Sequence, residues 1–269
     1  MSPSQHIIHP PGAPPLEPTW FESWFDSPYY EALYDHRNMA EARSFVRNVA
    51  SFLKLDSGAR ILDLACGWGR HTRSLSELGY RVTGLDLSQR LISRAVSLST
   101  DRPNLHFVRG DMREFHFKEP FDLILSLFTS FGYFDSQAED LRVLRNAFDN
   151  LQENGYFVLD FLHRDMVLGQ LKATEYRECN EFKALITKKF EDPWLVKTIL
   201  ITDKANNAAP KTYSEKVRCY DAPSLKEMLE HCGFTVTQQW GNYHGESPSP
   251  DSPRCIFFAR KSRTAATKI

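Results

Sequence analysis

The sequence has no CxxC pair, and its cysteines (Cys66, Cys179, Cys219, Cys232 and Cys255) are odd in number and widely scattered. That spacing argues against a disulfide framework or a zinc site and fits free thiols in a reducing compartment. No apolar run approaches the ~18–20 residues needed to span a bilayer. The first twenty residues are polar and proline-rich, without a basic start and apolar centre. A secretory leader is therefore not expected, and the expected location is cytoplasmic. Charge of one sign is missing as well. The formal net charge is −1 over 269 residues, unlike the basic footprint of a general nucleic-acid binder. Neither a membrane nor nucleic acid is expected as a partner, and no internal repeat is visible.

What the chain does contain is ordered. Pro10-Pro11-Gly12-Ala13-Pro14-Pro15 is predicted to be a lead-in outside regular structure. Seven aromatic residues then crowd into fifteen positions: Trp20, Phe21, Trp24, Phe25, Tyr29, Tyr30 and Tyr34. Such a surface needs a partner. Ala42, Phe45, Val46, Val49, Phe52 and Leu53 follow at helical spacing. From Arg60, strands and helices alternate. The expected strands are Ile61–Ala65, Val82–Leu85, Leu105–Val108, Leu123–Leu127 and Tyr156–Phe161. Ser88 is the expected cap of the helix after the second strand. Ser136-Gln137-Ala138-Glu139 is a capping box for a helix with Leu141, Leu144, Phe148 and Leu151 inward, stopped by Gly155. Alternation with near-continuous apolar strands predicts a doubly wound α/β fold around a parallel sheet. Between Thr174 and Tyr220, runs of mixed polarity are separated by Glu191-Asp192-Pro193 and Asn206-Asn207. They predict an antiparallel insertion of three or four strands. A second capping box, Ser224-Leu225-Lys226-Glu227, predicts a helix ended by Gly233. Strands at Thr235–Trp240 and Cys255–Ala259 follow, and the tail after Arg260 is expected to fray. The chain divides at 1–55 (aromatic and helical cap), 56–163 (core), 164–222 (β insertion, a lid) and 223–269 (return to the core sheet).

The chemistry concentrates at strand ends. Asp63-Leu64-Ala65-Cys66-Gly67-Trp68-Gly69 joins the first strand to a helix, and its glycines let backbone approach a ligand closely. A dinucleotide turn wants a third small residue where Thr72 stands. Asp63, ahead of the glycines, suits the positive end of a sulfonium amino acid better than a pyrophosphate. Asp86 closes the second strand, where a carboxylate can reach a ribose diol. Asp111, in Gly110-Asp111-Met112, can accept from an adenine amino group, although Gly-Asp is also an ordinary turn. The strand Phe121–Leu127 enters Phe128-Thr129-Ser130-Phe131-Gly132-Tyr133-Phe134. Cys66 reads as a small apolar filler, because no histidine or lysine is spaced to activate it. Arg254 reads as a solvent-facing or salt-bridged residue.

This ordered set resembles motifs I to IV of the class I S-adenosylmethionine-dependent methyltransferases, over about Arg60–Asp160. The Thr129–Phe134 loop and the insertion resemble, more loosely, small-molecule members such as aminosugar and glycine N-methyltransferases. The resemblance implies a Rossmann-like seven-stranded sheet in the order 3-2-1-4-5-7-6, strand 7 antiparallel, and S-adenosyl-L-methionine as cofactor. It further implies that Asp63, Ala65, Cys66, Gly67 and Gly69 meet the methionine part, that Asp86 meets the ribose hydroxyls, and that Leu87 belongs to the cofactor site. Asp111 with Met112 is implied at the adenine, with Leu127 and Tyr30 completing the cofactor site. Trp68 departs from the usual small residue or threonine. The expected reaction is methyl transfer to a nitrogen or oxygen of a small-molecule acceptor. His163, Tyr133 and His36 are the candidates should a base be needed. Methylation of a macromolecule, another transfer from the same cofactor, or a silent cofactor-binding module are the competing readings. No metal is expected, and the chain is expected as a monomer or homodimer.

Overall fold

Buried strands such as Ile61–Leu64 carry apolar side chains on both faces, so helices must cover both sides of any sheet they form. The computed structural model describes residues 19–34, 39–205 and 209–262. It opens with two short helices, α1 (Trp20–Phe25) and α2 (Pro28–Leu33), then α3 (Met39–Leu53). The core follows: β1 (Arg60–Leu64), α4 (Arg70–Glu77), β2 (Arg81–Asp86), α5 (Gln89–Ser97), β3 (Leu105–Arg109) and β4 (Phe121–Ser126). After these come α6 (Gln137–Asn150), β5 (Leu151–Leu162) and α7 (Arg164–Gly169). The insertion is β6 (Thr174–Glu178), β7 (Phe182–Glu191), β8 (Trp194–Asp203) and β9 (Lys211–Arg218). The chain then returns through α8 (Ala222–His231), β10 (Phe234–Trp240) and β11 (Arg254–Lys261).

The main sheet runs β10-β11-β5-β4-β1-β2-β3. β11 is antiparallel to both neighbours, and β1 to β5 are mutually parallel where they pair. Counting β10 and β11 as sixth and seventh, this is the order 3-2-1-4-5-7-6 that the resemblance implies. One face is closed by α3 and α4 through Phe45, Val46, Val49 and Leu75, with Trp240 and Phe258 from the sheet itself. The other is closed by α6 and α8 through Leu144, Ala147, Leu225 and Leu229. Antiparallel β6-β7-β8-β9 form a separate four-stranded sheet. Its partner is the aromatic N-terminal segment: Trp24, Tyr29 and Leu33 pack on Phe182, Ile186, Ile199 and Ile201. Among the described residues no helix is long and apolar enough to cross a membrane.

Several boundaries differ from expectation. α6 ends at Asn150, and Leu151, extended at φ −86° and ψ 144°, caps it and opens β5, so Gly155 lies inside that strand. The buried face of α6 is Asp140, Val143, Leu144, Ala147 and Asn150. α8 starts earlier than its Ser224 signal, because Asp221 accepts from Ser224 N at 2.8 Å and Pro223 occupies the first turn, where a missing N–H costs nothing. α7 was not expected. Phe52 is 43% exposed, its ring resting on the edges of Trp240 and Phe258. The Pro10–Pro15 lead-in, Asn206-Asn207 and the tail from residue 263 lie outside the described residues.

Asp140, in the first turn of α6, ties this helix to the end of the insertion. Its Oδ2 accepts from the Tyr220 hydroxyl at 2.8 Å and lies 3.9 Å from Arg218 Nε. Burial outweighs that hydrogen bond and the arginine, pushing the carboxyl from 3.8 to about 7. A carboxyl whose folded value is raised binds its proton more tightly in the native chain. Its stabilising contribution is therefore complete below about pH 4 and lost as pH rises through about 7. Asp140→Asn should flatten that part of the profile. Urea midpoints from pH 4.5 to 8 check it, and an unchanged slope refutes the assignment.

Candidate active site

Where β1 ends, the backbone turns left-handed three times in five residues, at Ala65 (φ 54°), Gly67 (φ 57°) and Gly69 (φ 81°). A Cβ at Gly67 would project into open space beside the turn, and a side chain there would be strained. At Gly69 a Cβ would lie 2.7 Å from the Phe107 ring, so glycine lets the turn pack on β3. The Gly67 N–H donates to Asp86 Oδ2 at 2.8 Å, and the Ser88 N–H donates to Oδ1 at 2.9 Å. Burial nevertheless pushes the Asp86 carboxyl above its ordinary value. Asp63 is buried behind the turn, where Thr72 Oγ1 donates to its Oδ2 at 2.6 Å. Desolvation lifts Asp63 to about 7 against that hydrogen bond and the Arg70 charge. Thr72, which spoils the dinucleotide pattern, is thus the partner of Asp63.

Two adjoining cavities open at the carboxyl ends of the strands, as open α/β sheets lead one to expect. Phe25, Ala65, Asp86 and Tyr133 line both. The first, about 390 Å³, also has walls of Phe21, Leu87, Asp111, Met112 and Phe134. Asp111 is held there by Arg113, whose Nη2 donates to Oδ2 at 2.6 Å. The second, about 330 Å³, is walled by Cys66, Gly67, Trp68, Tyr30, Leu127 and the segment Phe128–Ser130. Asp63, Gly69 and His163 line neither. His163 caps α7 instead, its Nδ1 accepting from Met166 N at 3.4 Å, which corrects its reading as a candidate base. His36 lies outside the described residues. Trp68 lines the second cavity, flanked by the Arg73 and Arg94 guanidinium groups at 5.0 and 5.2 Å from its ring.

The second cavity also gathers Phe128 and Thr129 of the fourth-motif loop, with residues that motif reading missed: Arg70, His71, Lys197, Glu215 and Arg254. Phe128 and Thr129 both sit at φ 62°, a costly conformation for a β-branched residue. Asp160, at the end of β5, holds them there. Its Oδ2 accepts from Phe128 N at 2.7 Å and from the Tyr243 hydroxyl at 2.9 Å, and its carbonyl accepts from Thr129 N at 3.0 Å. Arg254 completes the cluster, its Nε donating to Asp160 Oδ1 at 2.7 Å and its Nη2 to Thr129 Oγ1 at 2.9 Å. Burial opposes the Arg254 charge, but Asp160 more than compensates and raises its pKa.

The N-terminal helices roof both cavities. Asp26 Oδ1 accepts from Ser88 Oγ at 2.6 Å, and Glu31 pairs with Arg90 and Arg94 on α5 at 3.1 and 2.8 Å. On the insertion side, Glu215 accepts from Trp24 Nε1 at 2.8 Å, the Tyr34 hydroxyl at 2.5 Å and Lys197 Nζ at 2.6 Å. Burial disfavours the Glu215 charge, yet Lys197 and these hydrogen bonds hold the carboxyl below its ordinary value.

Residues 61–155 match the family described as a methyltransferase domain. The chain is similar to the YqeM protein of Bacillus subtilis (strain 168), 26% identical over 217 residues, covering 78% of this chain and 87% of the relative. It is 28% identical over 231 residues to the glycine/sarcosine N-methyltransferase of Aphanothece halophytica, covering 84% and 83%. Its fold matches the structure of an S-adenosylmethionine-dependent methyltransferase from Clostridium acetobutylicum ATCC 824 with a TM-score of 0.75 at 18% identity, covering 87% and 97%. The chain carries a methyltransferase domain, and its fold is that of S-adenosylmethionine-dependent methyltransferases. It is therefore an enzyme of methyl transfer.

In this methyltransferase Asp160 is buried, and Arg254, 16% exposed at the cavity wall, is its compensating charge. Removing one partner of a buried pair leaves the other charge uncompensated, at roughly 3–5 kcal/mol. Arg254→Met should cost about that much in chemical unfolding, and Asp160→Asn in the same chain should recover part of it. A double-mutant cycle with no coupling between the two positions would disprove the arrangement.

Proposed function

We propose that this enzyme transfers the methyl group of S-adenosylmethionine to the amine nitrogen of a small-molecule acceptor. When bound, the cofactor supplies an activated methyl on a sulfonium and departs as a neutral thioether. The site fits it: a glycine cradle open at Gly67, a carboxylate shared by both cavities at Asp86, and an apolar cleft beside Asp111. In this reading the Ala65–Gly67 turn holds the methionine end in the second cavity. Asp86 receives the ribose hydroxyls, and Leu87, Met112 and Asp111 take the adenine in the first. Leu127 and Tyr30 bound the methyl-bearing side. Asp63 acts through the turn, which it braces with Thr72.

The acceptor then occupies the rest of the second cavity, under α1, α2 and the antiparallel sheet. The observation that carries the nitrogen reading is how little of that space offers a base. Lys197 is paired with Glu215, Arg254 with Asp160, and the Tyr133 hydroxyl donates to the Thr129 carbonyl at 2.6 Å. A neutral amine needs only to be held in line with the S–CH₃ bond, and positioning of that kind is worth ~7–11 kcal/mol. The glycine/sarcosine N-methyltransferase relative supports the same choice, and the roof over the cavity favours a small acceptor over a macromolecule.

Labelled cofactor offered with small amines and with small alcohols and phenols tests the proposal, with the methylated atom located by mass spectrometry. Label on oxygen overturns it. Methyl transfer to oxygen would want a general base, and the imidazole that lines the cavity is His71. With an amine acceptor, His71→Gln should lower kcat far less than the ~10²–10⁴-fold that loss of a general base causes. Asp86→Ala should weaken cofactor binding by roughly 1–3 kcal/mol, about five- to a hundredfold. Calorimetry measures this directly, and an unchanged Kd removes Asp86 from the ribose site.

A further inference from the structure

The acceptor end of the second cavity is walled by aromatic rings in mutual contact. Trp20 and Phe25 of α1, Tyr30 of α2, Tyr34 just after it, and Tyr133 of the loop after β4 all line it. The ring centroids lie 5.3 Å apart for Trp20–Tyr133, 5.5 Å for Phe25–Tyr133, 5.0 Å for Phe25–Tyr30 and 5.2 Å for Tyr30–Tyr34. Aliphatic side chains would serve to exclude water. Rings add a negative face that attracts cations, most of all those too shielded to hydrogen-bond. This wall already holds one cation, Lys197 Nζ, 5.5 Å from the Tyr34 ring centre. The carboxylate at its far end, Glu215, is engaged by Trp24, Tyr34 and Lys197. A bare ammonium, which wants acceptors for three N–H groups, is poorly served there. A methylated ammonium, which presents C–H groups, is well served.

We propose that the acceptor end is an aromatic cage for N-methylated amines. The enzyme then takes a secondary or tertiary amine as acceptor and carries a later round of methylation rather than the first. This rests on the amine reading above. The nitrogen lone pair forms the new N–CH₃ bond as the S–CH₃ bond breaks, its electron pair remaining on sulfur. The positive charge thereby passes from sulfur to nitrogen, in among the rings. A secondary amine afterwards gives its proton to solvent, whereas a tertiary amine becomes a quaternary ammonium with no proton to place. The cage stabilises charge where it develops and asks for no base.

The test compares choline with its neutral isostere 3,3-dimethylbutan-1-ol, titrated into the protein loaded with S-adenosylhomocysteine and followed by calorimetry. Choline should bind about tenfold more tightly or better. Trp20→Leu should erase most of that ratio and Trp20→Phe should keep it, with unchanged S-adenosylhomocysteine affinity reporting an intact fold. Should Trp20→Leu not fold, Tyr34→Leu serves the same comparison. Equal affinities for the two probes, or no binding of choline, overturn the cage. In turnover, methylated amines should be better acceptors than their primary counterparts. Primary amines accepted equally well would sink the cage but leave the amine reading standing, whereas label on oxygen would sink the amine reading itself.

Discussion

The carboxylate of Asp160 is the constraint on which the Phe128–Ser130 wall of the second cavity depends. Buried at the end of a central strand, it must be compensated, and Arg254 on the neighbouring antiparallel strand does so at 2.7 Å. Held by that pairing, its Oδ2 accepts from the Phe128 N–H and the Tyr243 hydroxyl. Two consecutive left-handed residues cost of order 1–3 kcal/mol each. The charge-assisted bonds from Phe128 N to Asp160 and from Arg254 to Thr129 are of the size needed to offset that cost. The strain has a visible purpose. It turns the chain sharply after β4, so that the segment Phe128–Ser130 lines the cavity and Thr129 presents its carbonyl to the Tyr133 hydroxyl.

A second buried carboxylate, Glu215, does the corresponding work in the roof. The N-terminal aromatics could not stand in water, and the insertion could not bury its own inner face with four strands alone. Each supplies what the other lacks. Glu215 fixes their register by taking donors from α1, from Tyr34 after α2, and from β8. The roof is then pinned to the core through Asp26 on Ser88 and Glu31 on Arg90 and Arg94, all beside Asp86. The two cavities consequently share walls at Phe25 and Tyr133, and neither can be filled without bearing on the other.

What could be read from the sequence was whatever is local. The glycine turn announces itself because only a few residues tolerate positive φ, and Asp86 because it closes an apolar strand. The strand order followed from a resemblance carried by four short motifs. Contacts between distant segments left no such mark. Asp160 and Arg254 are 94 positions apart, and Trp24 and Glu215 are 191 apart. Nothing in either segment says which partner exists, so Asp160 passed as a strand residue, and the salt-bridge reading of Arg254 came without a named partner. Thr72 was noticed only as a mismatch to another motif, although it is what satisfies Asp63. His163 was placed at the correct end of the sheet, but an imidazole that follows a strand can equally well cap the next helix, and here it does. At α8 two overlapping cap signals competed, and Asp221 followed by Ala222-Pro223 prevailed over Ser224.

The electrostatics of the two compartments oppose one another in a way that suits the proposed reaction. Beneath and beside the turn, Asp63 and Asp86 are carboxyls that burial has pushed upward, so both would be eased by a positive charge brought near them. At the far end the charges are already neutralised in pairs, Lys197 with Glu215 and Arg254 with Asp160, leaving rings as the outstanding electrostatic feature. In the proposed reaction the positive charge would move from a turn bordered by buried carboxyls toward ring faces that need no counter-ion.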